Sequence, residues 1–172
     1  MSASFSVTNN YVLRQFYAGR NDMITDSDRK SKSVTSLNDA DSGALRRSLI
    51  SLAGTDRSSV KSGNSSGETR LFDKLRAFTD AYNNTVESGG RSQNDSVAKL
   101  TSKIKKLSAE NSRELSRCGI SLDGNGYMSI SEDKVKEMTS ESYDKCLGKG
   151  ADYNKSLTKL VNRLTKHIDY SA

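Results

Sequence analysis

The 172-residue sequence contains no proline and no tryptophan, only two cysteines and a single histidine. The absence of proline removes a common interruption of helices, so long continuous helices are permitted. No apolar run is long enough to span a bilayer, and the first residues lack a basic head followed by an apolar stretch. We therefore expect no membrane span and no general secretory signal. Both the cytoplasm and export by a route that reads no hydrophobic signal remain open.

The residues that usually carry catalysis or bind metals are equally scarce. Cys118 and Cys146 are too few and too far apart for a zinc motif, and His167 stands alone. No serine elbow, reactive-cysteine motif or phosphate-binding glycine loop accompanies them. We predict that the protein is not an enzyme and uses no metal or cofactor. The sequence leaves open whether the cysteines are buried thiols or form a disulfide.

Apolar residues are also few. They make up 33% of the chain against 28% charged residues, and the mean hydropathy is −0.71. This composition is thin for a compact globule but sufficient for amphipathic helices with narrow apolar faces. We predict a mainly α protein, an elongated antiparallel helical bundle of coiled-coil-like character with one small β-hairpin.

The net charge of +6 raises the question of nucleic-acid binding, which would need clustered basic residues. The densest basic run is Lys99, Lys103, Lys105 and Lys106. Apolar residues alternate with these lysines at helical spacing, as is typical of the solvated face of an amphipathic helix. We therefore favour protein partners over nucleic acid.

The chain divides into three predicted parts. Residues 1–54 contain one predicted helix, which starts at about Asp39 and stops at Gly54; within them, Tyr11–Tyr17 fits either a short helix or a strand. Residues 55–68 are polar and glycine-containing, which predicts a flexible linker. Residues 69–172 form the predicted bundle.

Four helices are predicted in that bundle. The first runs over Thr69–Glu87 and ends at Gly89-Gly90, and the second starts near Asn94 or Asp95 and ends at Cys118. The short connection between them favours an antiparallel pair. The third helix carries Val135, Met138, Tyr143 and Leu147, and the fourth begins after Gly150.

A β-hairpin is predicted at residues 119–131, between the second and third helices. Apolar residues alternate with polar ones on both sides of the turn Asp123–Gly126. Ser129 stands in capping-box spacing to Glu132, and Ser131 is a second candidate for the cap of the next helix. The return strand should therefore lead directly into the third helix.

The same segment matches much of the calcium-binding EF-hand loop. From Ser121 to Glu132, the third, fifth, sixth and twelfth positions agree with the motif. The first position does not, because Ser121 offers a hydroxyl where the motif needs a carboxylate. We favour a hairpin without a metal ion, and the sequence leaves calcium binding by this degenerate loop open.

The last helix carries the most regular apolar pattern in the chain, two heptads long. This pattern fits either a partner-binding face or a core-facing helix of a monomeric bundle. We predict that its six residues bind a protein partner. These residues, called the apolar seam below, are Tyr153, Leu157, Leu160, Val161, Leu164 and Ile168.

Several short motifs follow one another between Leu71 and Glu137. They comprise a Phe-x-x-Ala-Tyr-Asn type helix, a second long helix, a Gly-Ile-Ser strand, a glycine turn and a capped helix start. The matching residues are Phe78, Asp80, Ala81, Tyr82, Asn83, Gly119, Ile120, Ser121, Gly126, Met128, Ser129, Ile130, Glu132, Lys134 and Val135. This order resembles the C-terminal helical region of the flagellar filament-capping proteins, a hook-associated family.

The resemblance implies an elongated helical protein that is exported unfolded through the flagellar type III channel without a cleaved signal. It also implies an extracellular place in the bacterial flagellum, where terminal helices pack against like subunits or flagellin-type neighbours. We accordingly expect a non-enzymatic structural or assembly protein. The alternative from the residues alone is a cytoplasmic adaptor or export chaperone that holds a partner helix.

Overall fold

The computed structural model describes residues 11–55 and 65–169, with the side chains of residues 65–69 and 169 excepted. A 3₁₀ turn at Asn21–Met23 lies between the first two helices. The helices and strands are α1 Tyr11–Phe16, α2 Asp26–Lys30, α3 Val34–Ala53, α4 Ser65–Gly90, α5 Asp95–Glu110, α6 Ser112–Arg117, β1 Ile120–Leu122, β2 Met128–Ile130, α7 Glu132–Glu137, α8 Ser140–Cys146 and α9 Asp152–Asp169.

The four long helices close into an antiparallel bundle. α3 packs on α4, α4 on α5, α5 on α9, and α9 returns to α3. Near the start of α9, the Tyr153 hydroxyl lies 2.9 Å from the Ser108 hydroxyl at the end of α5. Asn154 donates to the carbonyl of Leu49, near the end of α3. The predicted mainly α bundle with one small hairpin is confirmed.

Helix α4 is the central element of the fold. It packs against α1, α3, α5, β2 and α7, and between Leu71 and Gly89, a stretch described throughout, only Glu87 is exposed. Its buried hydroxyls bond to carbonyls of their own helix, as Thr79 does to Arg76 and Thr85 does to Ala81. Short polar side chains can be buried on α4 because the helix itself satisfies them.

The hairpin has the predicted position. Ile120 pairs with Ile130 and Leu122 with Met128 in an antiparallel ladder. The turn is closed by Gly126, whose φ of 81° is strained for residues with a side chain. Of the two candidate caps, Ser131 rather than Ser129 precedes α7 and accepts a hydrogen bond from the Lys134 N–H.

Two predicted helices are each divided in the structure. The second breaks at Asn111, whose side chain donates to the Leu107 carbonyl and ends α5 before α6 begins. The third breaks at Met138, which is extended with ψ of 130°. Thr139 then caps α8 by accepting from the Ser142 N–H. At Asn111 the side-chain bond adds to the backbone bond that the Asn111 N–H makes to the same carbonyl, whereas the Thr139 hydroxyl satisfies an N–H in the first turn of α8 that has no helical partner.

The N-terminal part differs most from the prediction. The described residues up to 54 contain three α-helices and a 3₁₀ turn instead of one helix, and Tyr11–Phe16 is helical. Helix α3 starts at Val34, capped by Ser33, and is a full member of the bundle. Helix α4 begins at Ser65, inside the predicted linker. The remainder of that linker, residues 56–64, lies outside the described residues.

No helix in the described ranges is both long and apolar enough to cross a membrane.

Candidate functional site

The apolar seam lies inside the bundle. Five of its residues are at most 4% exposed, and Leu160 is half-buried. They lie in one core cluster with residues of α3 and α5, on which α9 packs. A partner can meet these side chains only if α9 leaves the bundle, so partner binding by the seam remains a prediction. The five buried residues are Tyr153, Leu157, Val161, Leu164 and Ile168.

The outward side of α9 is basic. Lys155, Lys159, Arg163 and Lys166 are all exposed and fall on one side of the helix. On the neighbouring α5, three further lysines are exposed, at positions 99, 103 and 106. The sequence predicted a solvated face for the α5 lysines but could not show that α5 and α9 are neighbours. We call these seven residues the basic face.

Asn83 joins α4 to the hairpin through both polar atoms of its side-chain amide. Its Nδ2 donates to the Met128 carbonyl at 2.8 Å, and its Oδ1 accepts from the Met128 N–H at 2.7 Å. Asn83 is 5% exposed, so water is largely excluded from these bonds. The last residue of the Phe-x-x-Ala-Tyr-Asn motif thus binds the backbone of β2.

Gly119, which directly precedes β1, joins the hairpin to the start of α7. Its φ is 78°, and its carbonyl accepts from the Ser131 N–H at 2.9 Å. A Cβ atom at this position would lie 2.8 Å from Val135 Cγ2 and 3.0 Å from the Ser131 carbonyl oxygen. Only glycine combines this backbone conformation with this close approach.

A buried ion pair fastens the N-terminal segment to α3. The Arg29 guanidinium donates twice to the Asp41 carboxylate, with both bonds at 2.8 Å, and once to the Met23 carbonyl. The Tyr17 hydroxyl also donates to Asp41, and Asn84 of α4 donates to that hydroxyl. Each polar side chain in this network is hydrogen-bonded to another one. The network is therefore a structural connection between α2, α3 and α4.

Burial sets the protonation of this network. Burial first, then the charge of Asp41 and the hydrogen bond to it, raises the pKa of Tyr17 well above its ordinary value. Burial alone would lower the pKa of Arg29, but the hydrogen bonds and charge of Asp41 outweigh it and the pKa is raised. At neutral pH the network therefore holds a neutral phenol and a charged guanidinium.

The two cysteines meet at the end of the bundle where α8 contacts α6. Both are free thiols and fully buried. The Cys118 sulfur lies 3.5 Å from the carbonyl oxygen of Ser142 on α8, one helical turn before Cys146. The fold thus brings the two cysteines to neighbouring elements, which the sequence could not show.

Chemistry-bearing residues do not gather elsewhere in the described ranges. These ranges contain no group of three or more His, Cys, Asp or Glu residues able to hold a metal ion. In the calcium-like loop, the Asp123 carboxylate accepts from the N–H groups of Asn125 and Tyr127, so it supports the turn itself. His167 is exposed on α9.

The chain matches no protein-family model, no curated protein and no solved structure.

Proposed function

We propose that this chain is a non-enzymatic structural or assembly protein related to the flagellar hook-associated and filament-cap proteins. It acts through helix packing with like subunits or flagellin-type partners. The observation that carries the proposal is the Asn83 junction, because it links two of the motifs on which the family resemblance rests. Motifs that are 45 positions apart in the chain form one packed unit.

The other motif residues support the same unit. Gly119 allows β1 to approach the start of α7, and Ser131 caps that helix. Phe78 and Tyr82 pack together on α4 with ring centroids 6.4 Å apart. A shared order of motifs is more informative when each motif contacts another, because chance matches have no reason to contact one another.

The partner contact in the folded chain falls on outward faces, because the apolar seam is enclosed by α3 and α5. The basic face is one such surface, and its charge suits an acidic neighbouring helix. The largest exposed apolar side chains among the described residues, Tyr11 and Ile50, lie on α1 and α3. They are too few to form an apolar interface by themselves.

The first test is the distribution of the intact chain between cell and medium in its own bacterium, with and without a working flagellar export gate. Appearance outside the cell only when the gate works supports the proposal. A cytoplasmic enzyme followed in the same fractions controls for lysis. Retention inside the cell under both conditions would reject it and favour a cytoplasmic adaptor or export chaperone.

The second test addresses the contact surface. The double variant Lys159→Glu with Arg163→Glu should abolish co-sedimentation with purified flagellar filaments, because it reverses charge on the basic face. The matched control is Lys30→Glu with Arg46→Glu, which makes the same charge change at exposed positions of α2 and α3. Equal loss in both variants would point to net charge instead of this surface.

A further inference from the structure

Cys118 and Cys146 lie on separate elements that the fold brings together. Cys118 stands between α6 and β1, and Cys146 is the last residue of α8. Ser142, whose carbonyl lies 3.5 Å from the Cys118 sulfur, precedes Cys146 by one helical turn and therefore lies on the same side of α8. This places Cys118 against the face of α8 that carries Cys146, in agreement with the packing of α6 on α8.

We infer that Cys118 and Cys146 are a modification site, a dithiol that closes reversibly to a disulfide in exchange with a small-molecule or protein disulfide. The bond would tie the start of the hairpin to α8. Because Cys118 already contacts α8 within one helical turn of Cys146, little backbone movement is needed to reach disulfide geometry. The inference does not depend on the proposed function, since it concerns the chain alone.

The chemistry balances as two successive exchanges. The thiolate of one cysteine attacks a sulfur of the oxidant, forms a mixed disulfide and releases one thiolate of the oxidant. The second cysteine, as thiolate, then attacks the protein sulfur of that mixed disulfide and releases the other half of the oxidant. The protein loses two hydrogens, and the oxidant disulfide is reduced to two thiols.

Access controls the rate of this exchange. Both thiols are fully buried, so an oxidant reaches them only when α8 opens. This short helix is held by the Tyr143 hydroxyl, which donates to the Leu52 carbonyl at 2.7 Å. The hydrogen bond with Cys118, followed by burial, also raises the pKa of Cys146, so the closed state holds little thiolate. Oxidation should be slow in the folded chain and fast during folding, before the site closes.

The test uses the full chain, purified in reductant and transferred to a buffer of oxidised and reduced glutathione. One sample stays folded throughout, and another is unfolded in urea and refolded in the same buffer. Intact mass and maleimide labelling after denaturation count the remaining thiols. We expect the refolded sample to lose two hydrogens, to carry no glutathione and to label at neither cysteine, with the folded sample reaching the same end point more slowly.

Two comparisons identify the bond and its effect. Cys118→Ser and Cys146→Ser should each keep one thiol that labels or carries glutathione. The oxidised wild-type chain should melt roughly 5–10 °C above the reduced chain, since the new bond closes a loop of moderate length.

The inference is overturned if the refolded wild-type chain retains two labelled thiols, or if it carries glutathione on either cysteine at equilibrium. A disulfide that lowers the melting temperature would also overturn it, because the native fold would then oppose the bond. These measurements need neither secretion nor a partner, so they can fail or succeed separately from the export test.

Discussion

The side chain of Asn83 gives β2 the two hydrogen bonds that a neighbouring strand would give. A primary amide presents a carbonyl acceptor and an N–H donor side by side on one edge, and here both face the backbone of Met128. Met128 is buried, so its peptide groups have little access to water, and an unpaired buried N–H or C=O group is costly. One residue on a helix thereby completes the edge of a two-stranded sheet.

Replacing this amide should destabilise the fold. Asn83→Ala removes both bonds to Met128 and leaves its N–H and C=O groups unpaired, which we expect to lower the free energy of unfolding by about 2–4 kcal/mol. Urea denaturation provides the measurement. Asn162→Ala, at an exposed position of α9, is the matched control and should change stability by less than about 0.5 kcal/mol. A decrease in the free energy of unfolding as small as that of the control would contradict a stabilising role for the Asn83 junction.

Asp80, also within the motif segment, should make stability depend on pH. Burial, only partly offset by the charge of Arg76, raises the pKa of Asp80 to about 6. The folded state thus holds this proton more tightly than the unfolded chain, in which the pKa of aspartate is about 3.9. Its contribution to stability is present below pH of about 4 and is lost as the pH rises through about 6.

Asp80→Asn should remove this dependence. We expect the variant to be more stable than wild type by about 1–2 kcal/mol at pH above about 7 and nearly equal to it near pH of about 4. The measurement is urea denaturation of both chains across this range. Glu87→Gln, at an exposed position of the same helix, should not reproduce the pattern. A stability difference that does not change with pH would contradict the assignment.

At the scale of elements, α4 and α5 approach closely where they are joined. A Cβ atom on Gly89 would lie 2.1 Å from the Thr101 hydroxyl oxygen on α5, whereas one on Gly90 would meet nothing within 4 Å. Both glycines belong to α4. The sequence suggested that the pair ends the helix, but only the packing of two helices distinguishes their roles.

This difference predicts opposite effects of the same substitution. Gly89→Ala should destabilise the fold by about 1–3 kcal/mol, because Thr101 is buried and has little room to move. Gly90→Ala should be neutral or stabilising by up to about 1 kcal/mol, since alanine restricts the unfolded chain. Thermal and urea denaturation of the two variants check the prediction. Equal effects would show that the helices separate easily at this end.

The sequence predicts elements well where the signal is local. Apolar spacing located the long helices, and Asp123–Gly126 located the turn of the hairpin. The breaks at Asn111 and Met138 were missed, because apolar spacing continues across them while the backbone leaves the helical conformation at one residue. Contacts between distant positions, such as Asn83 with Met128 and Cys118 with Ser142, leave no local signal at all.

At the scale of the whole molecule, the bundle needs α9 as its fourth helix. The seam pattern is the same whether an apolar face meets a partner or its own chain, so the sequence could not decide between them. The structure packs that face against α3 and α5. The buried Arg29–Asp41 pair similarly makes the N-terminal segment part of the fold, although its polar sequence gave no sign of it.

The seam should therefore behave as a core in solution. Leu157→Ala is expected to lower the free energy of unfolding by about 2–5 kcal/mol, because Leu157 is fully buried. Lys159→Ala, exposed on the same helix, should change it by less than about 0.5 kcal/mol. A loss in Leu157→Ala no larger than that in Lys159→Ala would contradict the burial of the seam in the folded chain.

The packing of α9 on α3 also has a consequence in time. Asn154 bonds to the carbonyl of Leu49, which is 105 positions earlier in the chain. At a synthesis rate of about 5–20 residues per second, Asn154 is added roughly 5–20 s after Leu49. Throughout that interval the nascent chain lacks the helix that covers one side of its core, so apolar side chains of α3 and α5 stay exposed. The core of the bundle can therefore close only after α9 has left the ribosome.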